Sequence, residues 1–337
     1  MTALPEPPVA ARSDTARRLT QALTDASGSS LKAVIFYGSQ LVNARPNAAS
    51  AWDLIVVVED YAGFYKALHR SGHHRRKPWL LGLLNRFLPP NVVAFTAREA
   101  DLPLAKCLIV SVAHVERALS PAAPDHFLKG RMVQQVAFLW SASSEVEQWV
   151  KTLLSSARDD VLNWAGPSLR GPFDVLGLVR RMLKVSFAGE LRPESSGRID
   201  QLIDAQRAFL EAAYNEVMRR ATAAGRARQL EDGAYVLTPE ASSAERRRVE
   251  RYFRRSKAQS TLRWFKHIVT FNDWLTYIQK KVERRTGLKI EVTPWERRLP
   301  LLLLWPKVFY VLRHRNDLQR EMQMSKAEQV ADKQVDS

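Results

Sequence analysis

The sequence predicts an α+β protein, a small mixed sheet followed by a mainly helical domain, and three observations carry that reading. Two β-rich apolar runs, Leu31–Tyr37 and Trp52–Val58, flank a Gly38-Ser39 turn, and shorter apolar runs at Val92–Phe95 and Cys107–Val112 add further strands. From Met132 onward apolar residues recur at helical spacing almost to the end. At 337 residues with 46% hydrophobic content, the chain has material for two ordinary cores, so two domains are expected.

In chain order, residues 1–12 are rich in Pro and Ala and read as a flexible tail, without the basic start and apolar run of a signal peptide. Ser13 is placed to cap a helix reaching Ala26 that carries Ala16, Leu19, Ala22 and Leu23 on one face. The two strands then form a hairpin-like pair joined by a long polar connection over Asn43–Ser50. A sheet-bearing domain is expected over 13–140, a helical domain over 141–315 and a polar tail over 316–337.

Charge narrows the partners. The 51 Lys and Arg against 35 Asp and Glu leave +16, which suits nucleic acid, anionic lipid or nucleotide phosphates. One cysteine, Cys107, excludes an intrachain disulfide and a cysteine-built zinc cluster and points to a reducing, cytoplasmic setting. The most apolar stretch, Leu299–Leu312, is shorter than the roughly 20 residues a membrane span needs and is interrupted by Pro306 and Lys307. Within 295–315 it either lies among lipid headgroups, its flanking arginines on phosphates, or is a core helix with charged flanks. His69, His73 and His74 stand among Arg75, Arg76 and Lys77, cations that would repel a metal, so a phosphate-facing or solvated loop is expected there. The arginine run between Glu245 and Lys257 reads as a solvated helix face. The chain contains no Walker-type loop, no Ser-His-Asp spacing and no Cys-x-x-Cys, which argues against ATPase, hydrolase and zinc readings.

The chemistry concentrates at Gly38-Ser39 and, after thirteen intervening residues, Asp53. Glycine lacks a Cβ, so backbone amides and the serine hydroxyl can approach phosphate oxygens closely. A carboxylate on the adjacent strand can hold Mg²⁺ against those phosphates, and an aspartate inside an apolar strand would otherwise be costly. Strand alternation puts Glu59 on the face of Asp53 and Asp60 on the other. Lys129 and Arg131, flanking Gly130, are placed to offer two cations to a triphosphate or a phosphate headgroup; the other reading is a basic loop at a helix start. Lys184 sits with Arg180 and Arg181 beside Leu176, Val179, Leu183 and Phe187 at helical spacing, facing either a cleft or solvent. Lys106, Arg192, Lys257 and Lys266 complete the candidate phosphate-binding cations, with Ser256 beside them.

Phe36-Tyr37-Gly38-Ser39 followed by Asp53-Leu54-Ile55 resembles the signature of the polymerase β-type nucleotidyltransferase superfamily. Four segments in order resemble the mitochondrial translocator assembly and maintenance protein family, peripheral phosphatidate cytidylyltransferases with bacterial relatives. These are Phe36–Asp60, Phe127–Val136, Leu183–Phe187 with Glu190 and Arg192, and Ser256–Lys257 through Lys266, Tyr277 and Lys281. The chain departs from the family pattern over Phe64–Trp79, at Phe187 and Glu190, and at Ile55, where many superfamily members carry a second carboxylate. The resemblance implies a Mg²⁺-dependent transfer of CMP from CTP to phosphatidic acid, giving CDP-diacylglycerol, at the inner face of the cell membrane. It gives Asp53, Lys129, Arg131 and Lys184 catalytic roles, and for the second metal ligand it favours Asp60 where geometry favours Glu59. No nucleic-acid partner is expected on that reading; transfer to RNA or protein, or a non-catalytic membrane- or RNA-binding module, are the alternatives.

Overall fold

The computed structural model describes residues 5–43, 51–97, 99, 101–189, 196–271, 279, 283, 292–293, 295–296 and 306–307. It is an α+β structure with a five-stranded mixed sheet. Residues 1–272 form one compact unit and 273–337 a second, so the boundary expected at 140/141 falls inside the first.

Ser13 caps α1 (Asp14–Ser27) through a hydrogen bond from the Ala16 amide, and Ala16, Leu19 and Leu23 are buried as the spacing requires. β1 (Leu31–Tyr37) turns at Gly38 into the single turn α2 (Ser39–Val42), and β2 (Trp52–Val58) returns antiparallel to β1. After α3 (Tyr61–Arg70) and α4 (Pro78–Phe87) come β3 (Asn91–Phe95) and β4 (Ala105–Ser111), then α5 (Val112–Leu119), α6 (Lys129–Met132) and β5 (Ala137–Ser141). The strand order is β3-β4-β2-β1-β5, with only β2 and β4 parallel. β5, which falls inside the stretch read as helical, closes the edge beside β1.

Further α-helices in the first unit are α7 (Ser144–Asp159), α8 (Val161–Trp164), α9 (Val175–Ala188), α10 (Ser196–Ala205), α11 (Arg207–Ala223) and α12 (Ser243–Thr270), with a two-stranded β6 (Ala227–Gln229) and β7 (Tyr235–Leu237) before α12. α12 opens on a capping box between Ser242 and Glu245. Most of the arginines in its first half are exposed, as the charge run suggested. Contacts in the second unit include a reciprocal cap between Thr293 and Glu296 and an ion pair from Lys307 to Glu296 at 2.8 Å. Most of the Leu299–Leu312 segment lies outside the described residues.

Strand alternation gives the sheet two faces with different work. Phe36, Leu54, Val56, Val93, Cys107 and Ile109 join one core with α1, α3 and α4. The other face carries Tyr37, Asp53, Lys106 and Ala94 as one row across four strands, because each is the register partner of the next. α5 packs beside β2 and β4, and α12 is fixed to β3 by a hydrogen bond from Thr270 to the Val92 carbonyl.

Candidate functional site

Gly38 has φ 85° and ψ −168°, a conformation that only glycine adopts without strain. A Cβ there would stand 3.0 Å from Asp53 Oδ2, so the absent side chain is what lets the turn lie against that carboxylate. Asp53 is about a quarter exposed, and Lys106 Nζ lies 3.7 Å from its Oδ1. The facing wall comes from α6, α9 and α10. Tyr37, Gly38 and Ser39 line one side of a cleft of about 220 Å³, with Arg131, Ser186 and Arg198 also lining it. That volume is below the roughly 300–1,000 Å³ of a whole-ligand pocket, so it suits phosphates better than a complete nucleotide.

Each of these groups is held from behind. Arg131 stacks its guanidinium over the Phe127 ring, 3.9 Å from the centroid, and donates to the Phe127 carbonyl. Ser186 Oγ lies 2.8 Å from His126 Nε2, and Tyr252 Oη lies 3.4 Å from Nδ1. Assigning the Tyr252 proton to Nδ1 makes Nε2–H the donor to Ser186, which leaves the serine proton for a ligand. Gly130 makes this possible, since a Cβ on it would meet His126 Cδ2 at 2.9 Å. Gln206 Oε1 accepts from the Gln135 amide at 3.0 Å and ties the start of α11 to the cleft.

Asp53 and Lys106 adjoin the Gly38 turn without lining the cleft themselves, and the other expected site residues are elsewhere. Lys129 is buried, donating to Asp160 at 2.6 Å and to the Ser120 carbonyl, and does not line the cleft. Lys184 and Lys257 are exposed on α9 and α12 and do not line the cleft either. Lys266 is buried against the Leu88 and Pro90 carbonyls, and burial pushes its ammonium down to about 6. Ser256 Oγ accepts from the His126 amide and so anchors the loop before α6. Arg192, Tyr277 and Lys281 lie outside the described residues.

The carboxylates named as second ligands are not near Asp53. Glu59 and Asp60 follow the far end of β2, roughly 20 Å along an extended strand. Glu59 pairs with Lys32 at 2.7 Å, and Asp60 caps α3 by accepting from the Gly63 amide. Ile55, on the face of Asp53, is fully buried. Mg²⁺ carried in on nucleotide phosphates needs only one or two protein carboxylates, so Asp53 fits a single ion of that kind. Among the described residues no group of three or more His, Cys, Asp or Glu side chains is gathered around a common point. The three histidines of the basic loop also separate: His74 is buried against the Thr270 carbonyl, His73 stacks on Phe95, and His69 bonds the His74 carbonyl.

Arg198, Gln134 and Gln206 line the cleft without having been singled out as site residues. Gln134 lies within the Phe127–Val136 segment that carries the resemblance, whereas Arg198 has no signal in the sequence, because only the packing of α10 beside α9 brings it there.

Burial lowers His126 to about 3 and His114 to about 4, with neighbouring cations adding to the effect on both. Both are therefore neutral in the fold, while the unfolded chain takes up protons from about pH 6.5 downward. Stability is full above that pH and falls as pH drops toward the folded values, by about 2 kcal/mol per histidine at pH 5. Urea unfolding at pH 7.5 and 5.0 checks this: His114→Gln should reduce the stability lost between the two by about 2 kcal/mol, and an unchanged dependence would contradict the assignment.

No family model matches the chain, and no curated protein matches it.

Proposed function

We propose that the chain is a nucleotidyltransferase of the polymerase β type that transfers CMP from CTP to phosphatidic acid. The observation that carries this reading is the Gly38 turn, held in a glycine-only conformation against Asp53 at one wall of a cleft that Arg131, Arg198 and Ser186 also line. α2 is a single turn, so phosphate binding rests on close backbone approach and the arginines rather than on a helix dipole.

In this reading a phosphate oxygen of phosphatidate bonds to the α-phosphorus of CTP as the bond to pyrophosphate breaks. The attacking monoester is already anionic, so no covalent enzyme intermediate is required. Arg131 and Arg198 hold the triphosphate and Ser186 donates to a phosphate oxygen. Mg²⁺ on Asp53, when bound, would offset charge on the phosphates. The specificity for cytosine and for phosphatidate rests on the family resemblance.

The membrane side of the proposal is supported by α4. Trp79, Leu83 and Phe87, spaced four apart, are 64%, 45% and 78% exposed; the exposed Arg75, Arg76 and Lys77 directly precede α4 and the exposed Arg86 adjoins Phe87 in sequence. Such a stripe suits the headgroup region of an anionic bilayer. No helix among the described residues is long and apolar enough to cross a membrane, which fits peripheral attachment at the inner face.

A second reading is favoured by Lys106, which occupies the place beside Asp53 where another ligand to a cation would stand. A chain that keeps the fold as a binding module would have such a pair. The test is incubation with Mg²⁺, labelled CTP and phosphatidic acid vesicles, with RNA and protein acceptors in parallel. Lipid-extractable label supports the proposal; label on RNA or protein moves the acceptor; absence of transfer to all three favours the binding module.

A further inference from the structure

We propose that a second cavity, built on Arg158 at the end of α7, is a binding site for a small amphipathic anion, a single carboxylate or phosphate group on an apolar body. The cavity measures about 670 Å³, within the range of small-molecule pockets, and lies between β5, α7 and α11. Phe138, Leu154, Phe209 and Ala213 supply apolar wall.

Arg158 is the anomaly. It is 8% exposed, its Nε is buried without a hydrogen-bond partner among the described residues, and its guanidinium carbon lies 5.1 Å from the Phe209 ring. The other lining charges are matched: Lys151 with Glu147 at 2.5 Å, and Arg220 with Glu216 at 2.9 Å and with Asp159 at 2.7 Å. Among the described residues no carboxylate pairs with Arg158, and Asp159 acts on it only through its field. A guanidinium withdrawn from water without an anion costs several kcal/mol, a cost proteins carry where a ligand offsets it. Burial lowers the Arg158 pKa, the same desolvation seen from the titration side.

The wall and the cation together define the ligand. An inorganic anion would leave the aromatic surface unused, and a neutral lipid would leave the charge unmet. The site is separate from the Gly38 cleft, with Gln135 lining both, and the inference does not depend on what that cleft does.

Thermal unfolding of the full chain tests this with four probes: decanoate, decyl phosphate, decanol and inorganic phosphate. A rise of several degrees with decanoate or decyl phosphate, and none with decanol or inorganic phosphate, is expected; the larger of the two rises identifies the headgroup. Equilibrium dialysis should give one molecule bound per chain. Arg158→Leu removes the uncompensated charge, so it should unfold at a higher temperature than the parent in plain buffer and respond to neither amphiphile. Lack of response by the parent chain to both amphiphiles, an equal response to decanol or inorganic phosphate, or a less stable Arg158→Leu protein would overturn the proposal.

Discussion

Lys129→Met is expected to destabilise the protein by about 3–5 kcal/mol, and Arg131→Met, two residues away, by about 1 kcal/mol. The difference follows from surroundings. Lys129 and Asp160 are 2% and 6% exposed, and removing the lysine strands a carboxylate that retains Asn163 as a partner but loses its counter-charge. Arg131 is only half-buried and holds its place by stacking on Phe127, so a methionine keeps much of that packing. Ligand binding should show the opposite order. Arg131→Met should weaken triphosphate binding roughly tenfold or more, in line with loss of a charge-assisted hydrogen bond, whereas residual folded Lys129→Met should bind normally. Urea unfolding and nucleotide titration on both variants decide it; a Lys129→Met protein of parental stability that no longer binds nucleotide would return Lys129 to the site.

This pair also shows what the sequence could and could not convey. The strands at 31–37 and 52–58 and the cap at Ser13 were legible because they depend on local alternation and local capping. Gly38 and Asp53 were legible for the same reason, since one hairpin brings them together. Lys129 and Arg131 have the same charge and nearly the same position, and only the packing of α6 decides that one turns to Asp160 and the other to the cleft. Glu59 was joined to Asp53 by strand alternation and Asp60 by the resemblance, and neither consideration weighs distance: Asp53 stands near the start of β2 and both of the others follow its end. β5 was hidden because Ala137–Ser141 is short and preceded by no turn signal, and its pairing with β1 is long-range. Arg158 is invisible to pattern reading, since its peculiarity is a missing partner.

Asp53→Asn should lower nucleotidyl transfer by about a thousandfold or more, on the scale of losing a principal electrostatic group, while changing stability by no more than about 1 kcal/mol. The small stability effect follows from exposure: Asp53 and Lys106 are 26% and 23% exposed at 3.7 Å, a separation and a setting in which an ion pair contributes little. Lys106→Met separates the two readings of that pair. Where Asp53 serves a cation that arrives with the nucleotide, Lys106 competes for the same carboxylate. Its removal should then lower the Mg²⁺ concentration needed for half-maximal transfer several-fold, while weakening triphosphate binding. Where Lys106 has replaced the cation, Lys106→Met should leave nucleotide binding insensitive to Mg²⁺, as in the parent. Asparagine at 53 keeps the shape that Gly38 packs against, so loss of transfer in that variant reports the charge and not the turn. An Asp53→Asn protein that transfers at the parental rate would remove Asp53 from the chemistry and, with it, the reason for reading the Gly38 cleft as catalytic.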